Sequence, residues 1–232
     1  MPLPQKIALS WSGGKDAAYC LWQLLQDPEY SVEVLVTTFH KTTDRSSMHG
    51  HTASLIQSQA RAIGIPLHEI WIEEDGDSTY ENGMRHALLA IEAQSQVTAI
   101  AFGDLFLADV REYRESQMKK SHLDILFPIW KVPTDQVANT LLVNDFKAKI
   151  CTLTAPLIDP QWIGKDYDQD FISSLSTDID PCGENGEFHT FLYDAPFFKE
   201  ALDITTDSPF FKPVPPEFEQ EHNIQGHWYI DI

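Results

Sequence analysis

Cysteine is scarce in this chain. Cys20, Cys151 and Cys182 are odd in number and far apart, which argues against a disulfide framework and against a paired-thiolate zinc site. Basic residues are also few, 16 Lys and Arg against 35 Asp and Glu, for a formal net charge of −19. Proteins that bind nucleic acid neutralise phosphates with Lys and Arg, so no nucleic-acid partner is expected. No apolar run reaches the roughly 18 residues of a membrane span. Met1–Lys6 lacks the charged-then-apolar pattern of a secretion signal. The expected location is the cytoplasm, with no membrane partner. Repeats and low-complexity segments are missing too. The 43% of hydrophobic residues suffice for a folded core. The length suits one large domain or two small ones.

The chain is organised around Ile7-Ala8-Leu9-Ser10-Trp11-Ser12-Gly13-Gly14-Lys15-Asp16. An apolar strand ends in a turn, and a helical pattern follows at once. Two adjacent glycines let the backbone turn tightly and present successive N–H groups. The following helix adds the positive end of its dipole. Ser12 supplies a hydroxyl and Lys15 a charge, so the stretch forms a phosphate cradle. It is not a Walker A loop, because Leu9 and Asp16 stand where glycine and Ser or Thr are required. No dinucleotide fingerprint follows the strand either. Strand, Ser-Gly-Gly-Lys-Asp, then helix resembles the PP-loop of the ATP pyrophosphatases. That resemblance implies cleavage of ATP between its α and β phosphates.

Beyond the turn, strand and helix patterns alternate. The pattern predicts strands at 6–11, 32–39, 67–72 and 97–102, and helices at 16–26, 52–63 and from Ser78 to about Ser95. A polar loop is expected over 40–50. Such alternation gives an α/β fold with a parallel, doubly wound sheet. Ligands then sit beyond the carboxyl ends of the strands. Ser12–Asp16, the Phe39–His51 loop and Gly103-Asp104 should therefore converge. A helix over 111–121, a strand over 125–130, a helix over 134–144 capped by Thr134 and a strand over 147–153 come next. After Pro156 prolines and turns dominate, with a strand over 188–193 and a closing edge strand at Trp228-Tyr229-Ile230. The expected division is an ATP-binding domain over 1–126 and a smaller α+β substrate domain over 127–232.

Two further clusters carry chemistry. Arg111 and Arg114 lie three apart on a helix just after a strand end, so both can point into one site. A guanidinium pair can hold a carboxylate or phosphate bidentately. The same pair also suits a solvated face beside Glu112 and Glu115. Gly183-Glu184-Asn185-Gly186-Glu187-Phe188-His189 packs two carboxylates and an imidazole into a glycine-rich turn. Such a turn suits an amine or ammonia, proton transfer, or a magnesium ion. Cys182 beside it has no base at any recognisable spacing and reads as a structural thiol. His49-Gly50-His51 suits ligand contact or helix capping better than a metal site, and no metal-ligating set is expected.

These segments occur in the order of one family. Ser12–Asp16, Met48-His49-Gly50, Gly64-Ile65-Pro66-Leu67, Gly103–Arg114, Leu126–Trp130, Gly183–Thr190 and Asp194-Ala195-Pro196-Phe197 together resemble the diphthine–ammonia ligase family of ATP pyrophosphatases. The resemblance spans about residues 5–198. It implies a ligase that adenylates a substrate carboxylate with ATP and Mg²⁺, releases pyrophosphate, and lets ammonia displace AMP to form an amide. It implies ATP contacts from Ser12, Gly13, Gly14 and Asp16, and the charge and strand-end positions read above add Ser10, Lys15, His49, Gly103 and Asp104. Substrate contacts fall to Asp109, Arg111, Tyr113, Arg114, Gly183, Glu184, Asn185 and Gly186. Lys15, Glu184, Glu187 and His189 take catalytic roles. Ala17 departs from the serine usual after the PP-loop aspartate. Asp109–Arg114 and Gly183–Thr190 depart from the Ser-Asp-Tyr-Gln-Arg and Gly-Glu-Gly-Gly-Glu-Tyr-Glu-Thr runs of the diphthamide-making members. The pattern is that of a bacterial-type branch. An elongation factor is the partner only of a true diphthine ligase, and a bacterial source would imply another acid. The rival readings are a nucleotide sensor without catalysis and a tRNA-modifying PP-loop enzyme. The oligomeric state stays open.

Overall fold

Gln5–Ser10 forms β1, the centre of a mostly parallel sheet. The computed structural model describes residues 3–73, 90–91, 96–119 and 121–232. From β1 the chain runs through helix α1 (Lys15–Gln26), β2 (Tyr30–His40), the two-residue β3 (Arg45–Ser46), α2 (Ala53–Ile63) and β4 (Leu67–Ile72). It continues with β5 (Ala99–Ala101), α3 (Ala108–Met118) and β6 (Asp124–Leu126). Parallel pairing gives the lateral order β4-β2-β1-β5-β6. The chain therefore winds outward from β1 in one direction and then, after β4, in the other. Right-handed crossovers then put α1 and α2 on one face and α3 on the opposite face. Between β1 and β5 the winding reverses, and this is the crevice where such sheets bind ligands.

Side-chain alternation fits this arrangement. Ala8, Val34, Val36, Ile70, Ile72, Ile100 and Phe102 share one core with Met118 of α3. Ile7 and Leu9, pointing the other way, are fully buried, as are Ala18 and Leu21 of α1 and Ile56 of α2. The 40–50 segment, expected as a loop, contains β3, which pairs antiparallel with Phe39 and His40. α2 ends as its glycine requires, with Gly64 at φ +84°. Phe197–Lys199 returns to this unit, and the Lys199 N–H donates to the Ala62 carbonyl at 2.8 Å. Apart from residues 90–91, the helix expected between Ser78 and Ser95 lies outside the described residues.

The remaining residues, Val132–Pro196 and Glu200–Ile232, form a second unit. It contains α4 (Thr134–Val143), β7 (Lys147–Ala155), a 3-10 turn (Pro160–Trp162), α5 (Gln169–Ser174), β8 (Phe188–Asp194), β9 (Phe210–Pro213), α6 (Pro216–His222) and β10 (Gly226–Tyr229). Its sheet is antiparallel in the order β8-β7-β10-β9. The stretch around Trp228 is thus not the closing edge. β10 lies inside, between β7 and β9, and β9 is the edge strand. A proline at the end of β9 suits that edge. Pro133, not Thr134, occupies the cap position of α4.

Candidate functional site

β1 ends at Ser10, and the chain turns through Trp11–Gly14 into α1. Gly13 adopts φ +84°, a left-handed conformation that a side chain strains. A Cβ there would stand 2.5 Å from Ile56 Cδ1 and 2.9 Å from Gln59 Oε1. Gly14 caps α1 without a side-chain hydrogen bond, so no cap oxygen from that position competes for the first-turn amides. Such an N-terminus is suited to an anion. The Gly14 N–H has Ser12 Oγ at 3.3 Å.

Lys15 is buried, with Nζ 2.8 and 3.0 Å from the two carboxylate oxygens of Asp16. Asp16 is partly exposed. The β5 end joins this turn. A Cβ on Gly103 would lie 3.1 Å from the Asp16 carbonyl oxygen, so a larger residue would force β5 and α1 apart. Asp104 is largely buried, and burial raises its carboxyl pKa. Arg114 opposes that rise and Asp16 adds to it. Arg114 Nε stands 3.5 Å from Asp104 Oδ2.

The third loop also arrives. β3 turns it back beside β2, and His49 and His51 meet edge to face with ring centroids 5.9 Å apart. His49 is enclosed. Burial first, then the neighbouring His51 and Lys15, lowers its pKa to about 3, so the ring is neutral. The three strand ends expected to converge do so within the first unit.

The two arginines of α3 part company. Arg114 turns to Asp104 and lies 4.9 Å over the Phe102 ring. Arg111 stacks over Phe127 at 4.6 Å and Trp130 at 4.9 Å, and its Nε donates to Glu115 at 2.8 Å. The expectation that both serve one pocket splits into a largely buried pair and a half-exposed cation–π stack. Asp109, in the first turn of α3, and Tyr113 are exposed.

In the second unit the Asp180–Glu187 loop is built around its own carboxylate. Glu187 is 4% exposed. It accepts from the Asp180 N–H at 3.3 Å, the Asn185 N–H at 3.0 Å and Asn185 Nδ2 at 3.0 Å. The Tyr167 hydroxyl donates to the Pro181 carbonyl at 2.7 Å, and the Thr154 hydroxyl to that of Gly186 at 2.7 Å. Gly183 and Gly186 both have positive φ. A Cβ on Gly183 would meet Phe188 at 2.8 Å, whereas Gly186 faces open space. Glu184 and His189 are half-buried and Asn185 is exposed. The buried Cys182 thiol approaches the Thr134 carbonyl at 3.3 Å, a structural contact. Among the described residues no cluster of three His, Cys, Asp or Glu is placed to hold a metal. Sequence reading missed Gln59, wholly buried at the back of the glycine turn. Its signal is an amide in a core position of α2, one turn from Ile56 and Ile63.

A mostly parallel sheet with a glycine turn and a helix N-terminus at its reversal point is a doubly wound α/β fold with its ligand crevice there. The chain belongs to the diphthamide synthase family. The family's N-terminal domain matches residues 5–123 and its C-terminal domain residues 134–230. The human diphthine–ammonia ligase is 25% identical over 223 residues, covering 85% of this chain and 82% of that protein. The mouse enzyme is 23% identical over the same shares. A solved U34-tRNA thiolase from Methanococcus maripaludis, with its 4Fe-4S cluster, is 18% identical with a TM-score of 0.41. That alignment covers 60% of this chain and 56% of the thiolase. No helix among the described residues is long and apolar enough to cross a membrane.

Proposed function

We propose that this protein adenylates a carboxylic acid at the β1–α1 turn and transfers the acyl group to ammonia. The ligase class follows from the family. What the geometry supports beyond it is the place of the reaction and the division of labour. The observation that carries the reading is the meeting of the Gly13–Asp16 turn with Asp104 and Arg114 at the point where the winding reverses.

In this reading the amides of the Gly13–Lys15 turn hold the phosphates of ATP. Lys15 neutralises charge that builds on the α-phosphate as the acid attacks. His49, neutral, supplies a hydrogen bond without competing with Lys15 for the anion. Ser10, Ser12, Gly103 and Asp104 complete the nucleotide contacts. The residues suit a magnesium ion of the kind held by one or two carboxylates and the phosphates. Asp16 and Asp104 would hold it, and it would supply further neutralisation of the leaving pyrophosphate. Arg111 orients the acid, and Asp109 and Tyr113, exposed on the same helix, complete its contacts. Arg114 stays with Asp104 and holds that carboxylate in place beside the turn. In the second unit Glu184 and His189 take ammonium and remove its proton, helped by Asn185. Glu187 contributes by fixing the loop between Gly183 and Gly186 rather than by proton transfer. A diphthine-bearing elongation factor is the acid if the chain shares its relatives' substrate. The test is hydroxylamine trapping. ATP with the right acid should yield the hydroxamate of that acid. ATP consumption with no trapped acid across a panel would overturn acyl activation.

A further inference from the structure

Gln59 sits on α2, wholly buried behind the glycine turn. A buried amide is costly unless both its ends are bonded, and here both are. Oε1 accepts from the Trp11 indole N–H at 2.8 Å. Nε2 donates to the Gly13 carbonyl at 2.9 Å. Trp11 is itself pinned. Its N–H donates to the Val36 carbonyl at 2.8 Å, and its carbonyl accepts from Thr37 Oγ1 at 2.6 Å. The Trp11 side chain is 1% exposed.

We propose that Gln59 is the positioning residue of the phosphate-binding turn. A trans peptide sends its C=O and the following N–H in opposite directions. Holding the Gly13 carbonyl toward α2 therefore aims the Gly14 N–H away from it, to the side where Ser12 Oγ lies. Ile56 Cδ1 closes the same space from the next turn of α2. The turn is thus shaped from behind before any phosphate arrives, by a residue that touches no ligand. Direction matters, because the Gly13 side needs a donor and the Trp11 side an acceptor. Glutamate offers only acceptors at neutral pH, and methionine offers no donor and only a weakly accepting sulfur.

This inference rests on the ATP reading of the turn. Its test compares wild type, Gln59→Glu, Gln59→Met and, as a control elsewhere in the α2 core, Ile63→Val. ATP binding is read by calorimetry and the Trp11 indole proton by NMR. Both Gln59 variants should bind ATP about tenfold more weakly. In Gln59→Met the indole proton should exchange faster with solvent. Ile63→Val should lower the unfolding midpoint and leave ATP affinity alone. Should neither Gln59 variant fold, Trp11→Phe removes the indole donor together with part of the buried ring system and should weaken ATP by a smaller factor. Wild-type affinity in the Gln59 variants, or in Trp11→Phe where it replaces them, overturns the proposal. So does an equal loss in Ile63→Val. A wild type that binds no ATP overturns the ATP reading itself, and is recognised because the loss precedes any substitution.

Discussion

Asp104 Oδ2 stands 3.5 Å from Arg114 Nε, and neither atom makes a hydrogen bond among the described residues. Both side chains are mostly buried, 15% and 12% exposed. The pair is close enough for charge to count and too far for a short bond. Arg114→Met leaves Asp104 buried without its counter-charge and should lower stability by about 3 kcal/mol. Adding Asp104→Asn should recover part of that loss. Chemical denaturation of the single and double variants measures the coupling. Additive losses would show that the two residues do not act as a pair.

Gly13 and Gly186 both have positive φ but differ in surroundings. Gly13→Ala combines backbone strain with a clash against Ile56 and Gln59. It should cost about 2–3 kcal/mol and abolish ATP binding. Gly186→Ala meets nothing within 4 Å and should cost only the strain, about 1 kcal/mol. Thermal unfolding of the two variants gives the comparison. Equal losses would mean that the packing behind Gly13 is unimportant.

Glu184 and Glu187 are two residues of one loop with different work. Glu187→Gln replaces an accepting oxygen with an NH₂ facing backbone donors. It should lower the unfolding midpoint, at a cost of about 1–3 kcal/mol. Glu184→Gln should leave stability within about 0.5 kcal/mol and raise the KM for ammonia. The reverse pattern would exchange their roles.

His49 ties stability to pH. Its folded pKa, about 3, lies below the ordinary 6.5. The unfolded chain therefore binds a proton that the folded chain refuses. The contribution of a neutral His49 is complete above pH 6.5 and is lost as pH falls toward 3. The slope is at most ~1.4 kcal/mol per pH unit. Over that window His49→Gln should show a flatter stability profile than wild type. Parallel profiles would contradict a neutral ring at this position.

Much of the first unit is legible in the sequence because its signals are local. The apolar run into Gly13-Gly14 names a strand, a turn and a helix start without reference to anything distant. Strand-helix alternation then fixes where Gly103-Asp104 and His49 arrive, since parallel strands put their carboxyl ends together. Other features depend on partners remote in sequence. Gln59 acquires its role only when α2 docks behind Gly13. Arg111 and Arg114 have the same helical spacing whether they share a pocket or divide. Phe127 and Asp104 decide between those outcomes. β10 could not be placed inside its sheet because pairing order is set by β7 and β9, not by the pattern around Trp228. Glu187 reads as a reactive carboxylate in a glycine-rich turn, and only folding shows it bonded to the turn's own amides.

In the proposed reaction the β1–α1 turn directs attack on the α-phosphate of ATP. ATP labelled at that phosphate tests it, incubated with Mg²⁺, ammonium and a panel of carboxylic acids that includes diphthine-bearing elongation factor. Label should appear in AMP, with pyrophosphate released, only when one acid of the panel is present. Label in ADP would place cleavage at the wrong phosphate and contradict it.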